Sequence, residues 1–159
     1  MIDQSETYKT VFSNLAEVKH AVGKELGISN WIEITQNQIN SFAELTNDQQ
    51  WVHVDVEKSK RHSPYGCTIA HGYFVLSLAS QFVRETLSIE GLKMIVNYGL
   101  DRVRFPKATT VGSFIRGRTR MLAYEKNDTF TRIQLEMKME LHGHEKPACV
   151  AELIALCYP

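Results

Sequence analysis

The chain has 159 residues, 18 basic and 18 acidic side chains, a formal net charge of zero and 43% hydrophobic residues. That length suits one hydrophobic core rather than two, and the composition excludes global disorder and collagen-like structure. Zero net charge removes the basic excess that binding to nucleic-acid phosphates requires, so no nucleic-acid partner is expected.

The opening residues, MIDQSETYKT, lack the basic start and apolar core of a signal peptide. The most apolar run, Tyr73 to Val83, falls well short of the ~20 residues that span a bilayer. Three cysteines, Cys67, Cys149 and Cys157, form an odd set without C-x-x-C spacing, which points to neither a disulfide scaffold nor a zinc knuckle. The expectation is a cytoplasmic protein with no membrane insertion.

In chain order, Val11, Leu15, Val18 and Val22 recur at helical spacing and Gly23 offers a stop, which predicts a helix over residues 8–22. Residues 1–29 read as an N-terminal helical extension of the single domain. Trp31 to Ile34 predicts a short strand. Thr35 with Gln38 three residues later matches a capping box, and Ile39, Phe42 and Ala43 continue at i, i+3, i+4, so a helix should run to about Asn47. Asp48 to Asp55 shows no helical period. Val56 to His62 predicts a short helix and Ser63 to Gly66 a loop. Ile69 to Leu87 predicts one helix that is apolar nearly all round, with Ser77, Ser80, Gln81 and Arg84 on one narrow stripe, and such a helix belongs in a core.

Long alternating segments follow. Ile133, Leu135, Met137, Met139 and Leu141 point one way and the charged residues between them the other, as in a half-buried antiparallel strand. Residues 94–105 predict an earlier strand whose period slips at Asp101-Arg102, as at a bulge. Arg116, Arg118 and Arg120 share one face of the next strand, and Ala148 to Tyr158, apolar on both faces, suits a central position. The pattern predicts an α+β fold in which a curved antiparallel sheet wraps round one buried helix.

Two stretches carry chemistry: Phe42 to Asp55, containing Asp48-x4-His53 and Trp-x-His-Val-Asp, and Tyr65 to Gly72, ending Ile-Ala-His-Gly. Together with Val96 to Asp101 (Val-Asn-Tyr-Gly-Leu-Asp), they resemble the MaoC-like dehydratases, the (R)-specific enoyl-CoA hydratases, and within them the nodulation-protein-N-like branch. The resemblance covers roughly residues 30–158. It implies a single hot-dog domain that adds water across a trans-2-enoyl thioester or removes it from the 3-hydroxyacyl thioester. By position it implies that Asp48 and His53 activate water, that the Gly72 N–H receives the thioester oxygen, and that Ser77 supports the aspartate. Many hydratases of the family read Asp-x-Asn-Pro-x-His. Here Gln50-Trp51 replaces Asn-Pro, which makes Trp51, with His71 and Tyr73, a candidate to line the substrate tunnel.

The chemistry itself asks for such groups. Hydration needs a base for water attacking C3, an acid for C2, and a donor for charge developing on the thioester oxygen; a carboxylate with an imidazole and a helix N-terminus supply these near neutral pH. On the residues alone, Asp48 would be a helix-end carboxylate and His53 a surface histidine. An acyl-CoA thioesterase on the same fold and a non-catalytic acyl-thioester binding module are the rival readings. No cofactor is implied, CoA or phosphopantetheine being the substrate's own handle. No metal is implied either, since His53, His62 and His71 lack regular spacing. Cys67 reads as packed or incidental. The row of Arg116, Arg118 and Arg120, and the group Lys58, Lys60 and Arg61, read as solvated faces; each is also a candidate for CoA phosphates. Exposed strand edges predict a homodimer.

Overall fold

The computed structural model describes residues 2–159. The N-terminal segment departs from the expected helix. Tyr8–Phe12 is strand β1, Leu15–Ala21 a 3-10 helix and Glu25–Ile28 strand β2. Tyr-Lys-Thr-Val-Phe is rich in the aromatic and β-branched residues that suit a pleated surface. Asn14 starts a separate turn, its side chain accepting from the Ala16 and Glu17 N–H groups. The i+4 spacing of Val11 and Leu15 therefore joins two different elements. Only Val18 of the four valines and leucines is fully buried, and Val11 and Val22 face solvent. Residue 1 lies outside the described residues, and residues 2–29 are thus not a helical extension, because two of their segments belong to the sheet.

Strand β3 (Ile32–Glu33) leads into helix α1 (Gln36–Thr46), whose capping box is formed as predicted by Thr35 and Gln38. Asn47 closes α1 in the left-handed conformation. Helix α2 (Trp51–Val54) is a single turn in the stretch expected to be irregular, and α3 (Val56–His62) has the predicted bounds. The long central helix begins at Gly72 rather than Ile69 and is broken at Leu78 into α4 (Gly72–Ser77) and α5 (Ala79–Thr86). Residues Thr68 to Ala70 are held out of the helix by strand-like bonds: Ile69 bridges Thr110, Ala70 N–H donates to the Thr109 carbonyl and Val111 N–H to that of Thr68.

The remaining strands are β4 (Leu87–Ile89), β5 (Met94–Arg104), β6 (Phe114–Lys126), β7 (Thr131–Leu141) and β8 (Cys149–Tyr158). Sheet order is β4-β1-β2-β6-β7-β8-β5, with β3 also pairing β6. All pairs are antiparallel except β1 with β4, a parallel contact that the reading of a wholly antiparallel sheet did not include. Strand β5 slips register at two places, between Asn97 and Gly99 and between Asp101 and Arg104, the second at the predicted bulge, where Arg102 has φ 48°.

The core lies between α4–α5 and the inner face of β6, β7 and β8. Phe74, Val75, Ala79 and Phe82 meet Ile115, Met137, Met139, Cys149 and Ala151. Gly117 is what lets the helix come so close: a Cβ there would lie 2.4 Å from Phe82 Cβ. Thr86 Oγ lies 2.8 Å from the Phe82 carbonyl and 2.7 Å from Thr119 Oγ, tying the end of α5 to β6. One helix stripe does not join the core. Tyr73, Ser77, Ser80 and Arg84 are exposed, and they face a cleft of about 640 Å³ between the helices and strands β5 and β8. No helix among the described residues is long and apolar enough to cross a membrane.

Candidate active site

The helix α1 stops at Asn47 because a left-handed residue there redirects the chain, and Asp48 is the first residue beyond it. Three residues later α2 carries His53 inward. Its backbone is fixed by the Gln36 side chain, which donates to the His53 carbonyl at 2.8 Å. The Ile69 N–H bonds the Val52 carbonyl at 3.1 Å, so α2 and the strap before α4 are held side by side.

His53 Nδ1 lies 2.7 Å from the Ile69 carbonyl oxygen. A carbonyl only accepts, so Nδ1 carries the proton and the neutral ring keeps its lone pair on Nε2. Burial holds the imidazole pKa below its ordinary value; the neighbouring His71 acts the same way, against the opposing pull of the Ile69 carbonyl and Asp48. The ring is therefore mostly neutral at pH 7. Asp48 is 55% exposed and His53 7%. A carboxylate oxygen of Asp48 and a ring nitrogen from each of His53 and His71 lie within 4.8 Å of one another. The structure thus brings together the two residues that the sequence singled out, one wet and one dry.

Three polar groups this close also suggest a cation. The rings of His53 and His71 are stacked, centroids 3.7 Å apart and planes 24° apart, so their in-plane lone pairs run side by side instead of converging on one ion. His53 Nδ1 and His71 Nε2 are in addition engaged by backbone carbonyls. The geometry suits proton transfer better than ligation.

Gly72 opens α4 immediately beyond His71. The first N–H groups of a helix have no acceptor within it, and His71, the residue before, gives them no side-chain bond. A Cβ on Gly72 would stand 3.1 Å from the Phe105 ring, so glycine keeps this approach to the backbone open beside an aromatic wall. Tyr73, 75% exposed, lines the start of the cleft, which continues past Leu76, Ser77, Ser80 and Val83 to Arg84 and is closed opposite by Ile95, Leu100, Leu153 and Ile154.

Other sequence-stated positions fall elsewhere. The expected support of Asp48 by Ser77 is not formed: the Ser77 hydroxyl donates to the Phe74 carbonyl at 2.7 Å, satisfying itself within the helix turn that breaks at Leu78. Trp51, like Asp48, His53 and Gly72, does not line the cleft; its ring lies 5.0 Å beneath the Lys58 ammonium. His71, 3% exposed, stands behind the site rather than in the tunnel wall. Asp55 caps α3, accepting from the Lys58 N–H at 2.8 Å. Burial pushes the Cys67 thiol up, and Cys149 and Cys157 to about 11, so none is an activated nucleophile.

Of the arginine row only Arg120 is solvent-exposed as expected, donating to the Gly23 carbonyl at 3.1 Å; the other two are not. Arg116 is 8% exposed, donates to Glu140 at 2.8 Å and to Glu6 at 2.7 Å, and lies over the Trp31 ring. Arg118 pairs with Glu25 and Glu140. Both are used up by carboxylates, whereas Lys58, Lys60 and Arg61 make no ion pair among the described residues. The partners of Arg116 are far away in sequence, and no local pattern announces them.

A family model described as MaoC like domain matches residues 17–143. The 3-hydroxyacyl-thioester dehydratase Z of Mycobacterium tuberculosis is 39% identical over 144 residues, covering 90% of this chain and 95% of the relative. Nodulation protein N of Rhizobium leguminosarum bv. viciae is 37% identical over 145 residues, covering 90% of each. Among solved structures, the monoamine oxidase regulatory protein from Archaeoglobus fulgius superposes with a TM-score of 0.75 at 20% identity, over 93% of this chain and 95% of that one. The likeness shows the fold, a hot-dog sheet around a central helix. With the family model spanning most of its length and the aspartate and histidine of the motif meeting at the helix start, the chain belongs to the MaoC-like family.

Proposed function

We propose that the protein is an (R)-specific enoyl-CoA hydratase, or in reverse a 3-hydroxyacyl-thioester dehydratase. The observation that carries this is the His53 ring, locked by Ile69 into the tautomer with a free Nε2 and placed with a ring nitrogen within 4.8 Å of an Asp48 carboxylate oxygen. The similarity to dehydratase Z supports the same reaction. In the forward direction a trans-2-enoyl thioester lies with its carbonyl oxygen at the Gly72 N–H. Asp48 orients a water molecule, and His53 Nε2 takes one of its protons as the oxygen bonds to C3. Charge passes through C2 to the thioester oxygen and is held there by the amide dipole. The imidazolium then returns its proton to C2. The water's atoms are all accounted for, and no cofactor takes part. CoA or phosphopantetheine serves as the handle, with Lys58, Lys60 and Arg61 the unpaired cations nearest in sequence to the site.

The working form is a homodimer in the cytoplasm. Strand β5 is an outer strand of the sheet, eleven residues long, with Met94, Ile95, Val96, Tyr98 and Leu100 exposed. An edge so long and apolar invites pairing with a second copy, which would also cover the open side of the cleft. Purified protein incubated with crotonyl-CoA should consume the enoyl absorbance without releasing free thiol. Thiol release instead identifies a thioesterase, and binding without either change a carrier module. Light scattering should give twice the mass of one chain.

A further inference from the structure

His71 is as buried as the hydrophobic core, yet it is only half satisfied. Its Nε2 lies 3.0 Å from the backbone carbonyl oxygen of Asp48, so in the neutral ring this nitrogen carries the proton and donates. Its Nδ1 is buried and has no hydrogen-bond partner. One face of the ring stacks on His53 and the other meets Phe42, at 5.1 Å between centroids. Phe42 in turn touches Phe74 of α4. An apolar side chain would fill this place without stranding a nitrogen, which carries a desolvation penalty. What the imidazole adds over a phenyl at this place is the Nε2–H that meets the Asp48 carbonyl. The Asp48 segment is otherwise a short connection between α1 and α2; the Asp48 N–H bonds no backbone carbonyl among the described residues, and its carboxylate comes within 4.0 Å of the same His71 Nε2.

We infer that His71 is a positioning residue that sets both members of the water-activating pair, its Nε2–H pinning the Asp48 backbone and its ring fixing the plane of His53. This rests on the hydratase reading for its kinetic arm only. The substrate does not meet His71, whose free nitrogen is sealed from solvent. The arrangement explains how an aspartate so open to water keeps a defined place: its main-chain carbonyl accepts from His71 Nε2 at 3.0 Å, and its carboxylate stands 4.0 Å from the same nitrogen. It also explains why a histidine precedes Gly72, since the residue that sets the base stands next to the one that receives the oxygen. Of the titratable groups, Asp48 and His71 are those that act on the His53 ring, in opposite directions.

Two substitutions separate the parts. His71→Phe keeps an aromatic face against His53 and loses the donor, while His71→Gln places an amide N–H near the Nε2 position and loses the ring. The expected result is a fall in kcat of about tenfold for His71→Phe at little-changed KM, since small displacements of catalytic groups are costly, with most of it recovered in His71→Gln. In the substrate-free protein, nitrogen-15 NMR should show the His53 midpoint staying low in His71→Phe and moving up toward the ordinary imidazole value in His71→Gln, where the stacked ring no longer shields it. A packing role alone would lower the melting temperature of both and move neither readout. His71→Phe with wild-type kcat, or both variants with the wild-type His53 midpoint, would overturn the inference. If the parent hydrates no enoyl thioester, the function reading fails while the NMR arm still decides this one.

Discussion

Two buried polar clusters lie in this molecule, and they are finished to different degrees. On the outer face of the sheet, Arg116 has carboxylates on two of its nitrogens and an indole against its plane, and Arg118 shares Glu140 with it. At the start of α4, His53 and His71 each spend one nitrogen on a backbone carbonyl and keep the other free. A cluster in which each arginine bonds two carboxylates holds a sheet and a terminal segment together. One left with open lone pairs beside an exposed carboxylate can accept a proton from a third party. Satisfaction of hydrogen bonds thus separates the scaffold from the chemistry better than burial or charge does.

The comparison breaks most visibly at the open cluster. Asp48→Asn and His53→Asn should each lower hydration by about 10²–10⁴-fold, the usual worth of general acid–base assistance, in a protein that still folds because size and polarity are kept. The double variant should be little worse than either single one, as groups acting on one water are not additive. Kinetics on enoyl-CoA with circular dichroism of the variants checks both halves. At the finished cluster the outcome should reverse. Arg116→Met should reduce stability by about 3 kcal/mol, the low end for breaking a buried pair because Glu6 is well solvated, with turnover per folded molecule unchanged; urea melts and kinetics read this. The smallest effect is expected between the two. Asp55→Ala, beside His53 in sequence, removes a helix cap at a cost of ~1 kcal/mol and should leave turnover intact in the same assays. A dead Asp55→Ala with an active Asp48→Asn would invert the assignment.

What could be read in advance follows the same division. Strand β7 alternates so regularly that its inner face, Ile133 to Leu141, is buried residue for residue, and the Thr35–Gln38 box is a local signal that needs no context. Asp48 and His53 were legible through the spacing of a motif, and their meeting is a local event across one helix turn. The N-terminal strand was not, since β1 is defined by pairing with β2 and β4, and β4 lies some seventy-five residues on. Nor was the break at Leu78, where the Ser77 hydroxyl turns back to Phe74 instead of reaching Asp48. Arg116 looked solvated because its alternation was read correctly but its partners, Glu6 and Glu140, come from opposite ends of the chain. The structural weight of His71 was hidden for a like reason: its bond to Asp48 spans the intervening α2 and α3.

The free nitrogen of His53 is the point on which the account turns, and pH tests it directly. Because burial lowers the folded pKa, the neutral base should survive below the ordinary 6.5. By linkage the ring's contribution to stability is fully present above 6.5 and is lost as pH falls through the folded value. The decisive measurement sets the acid limb of kcat/KM, which reports the free enzyme, against the nitrogen-15 titration of His53 in the same unliganded protein. The account predicts one shared midpoint below 6.5, and no such limb in the residual activity of His53→Asn. A His53 that titrates at or above 6.5, or an acid limb that persists unchanged in His53→Asn, would contradict it.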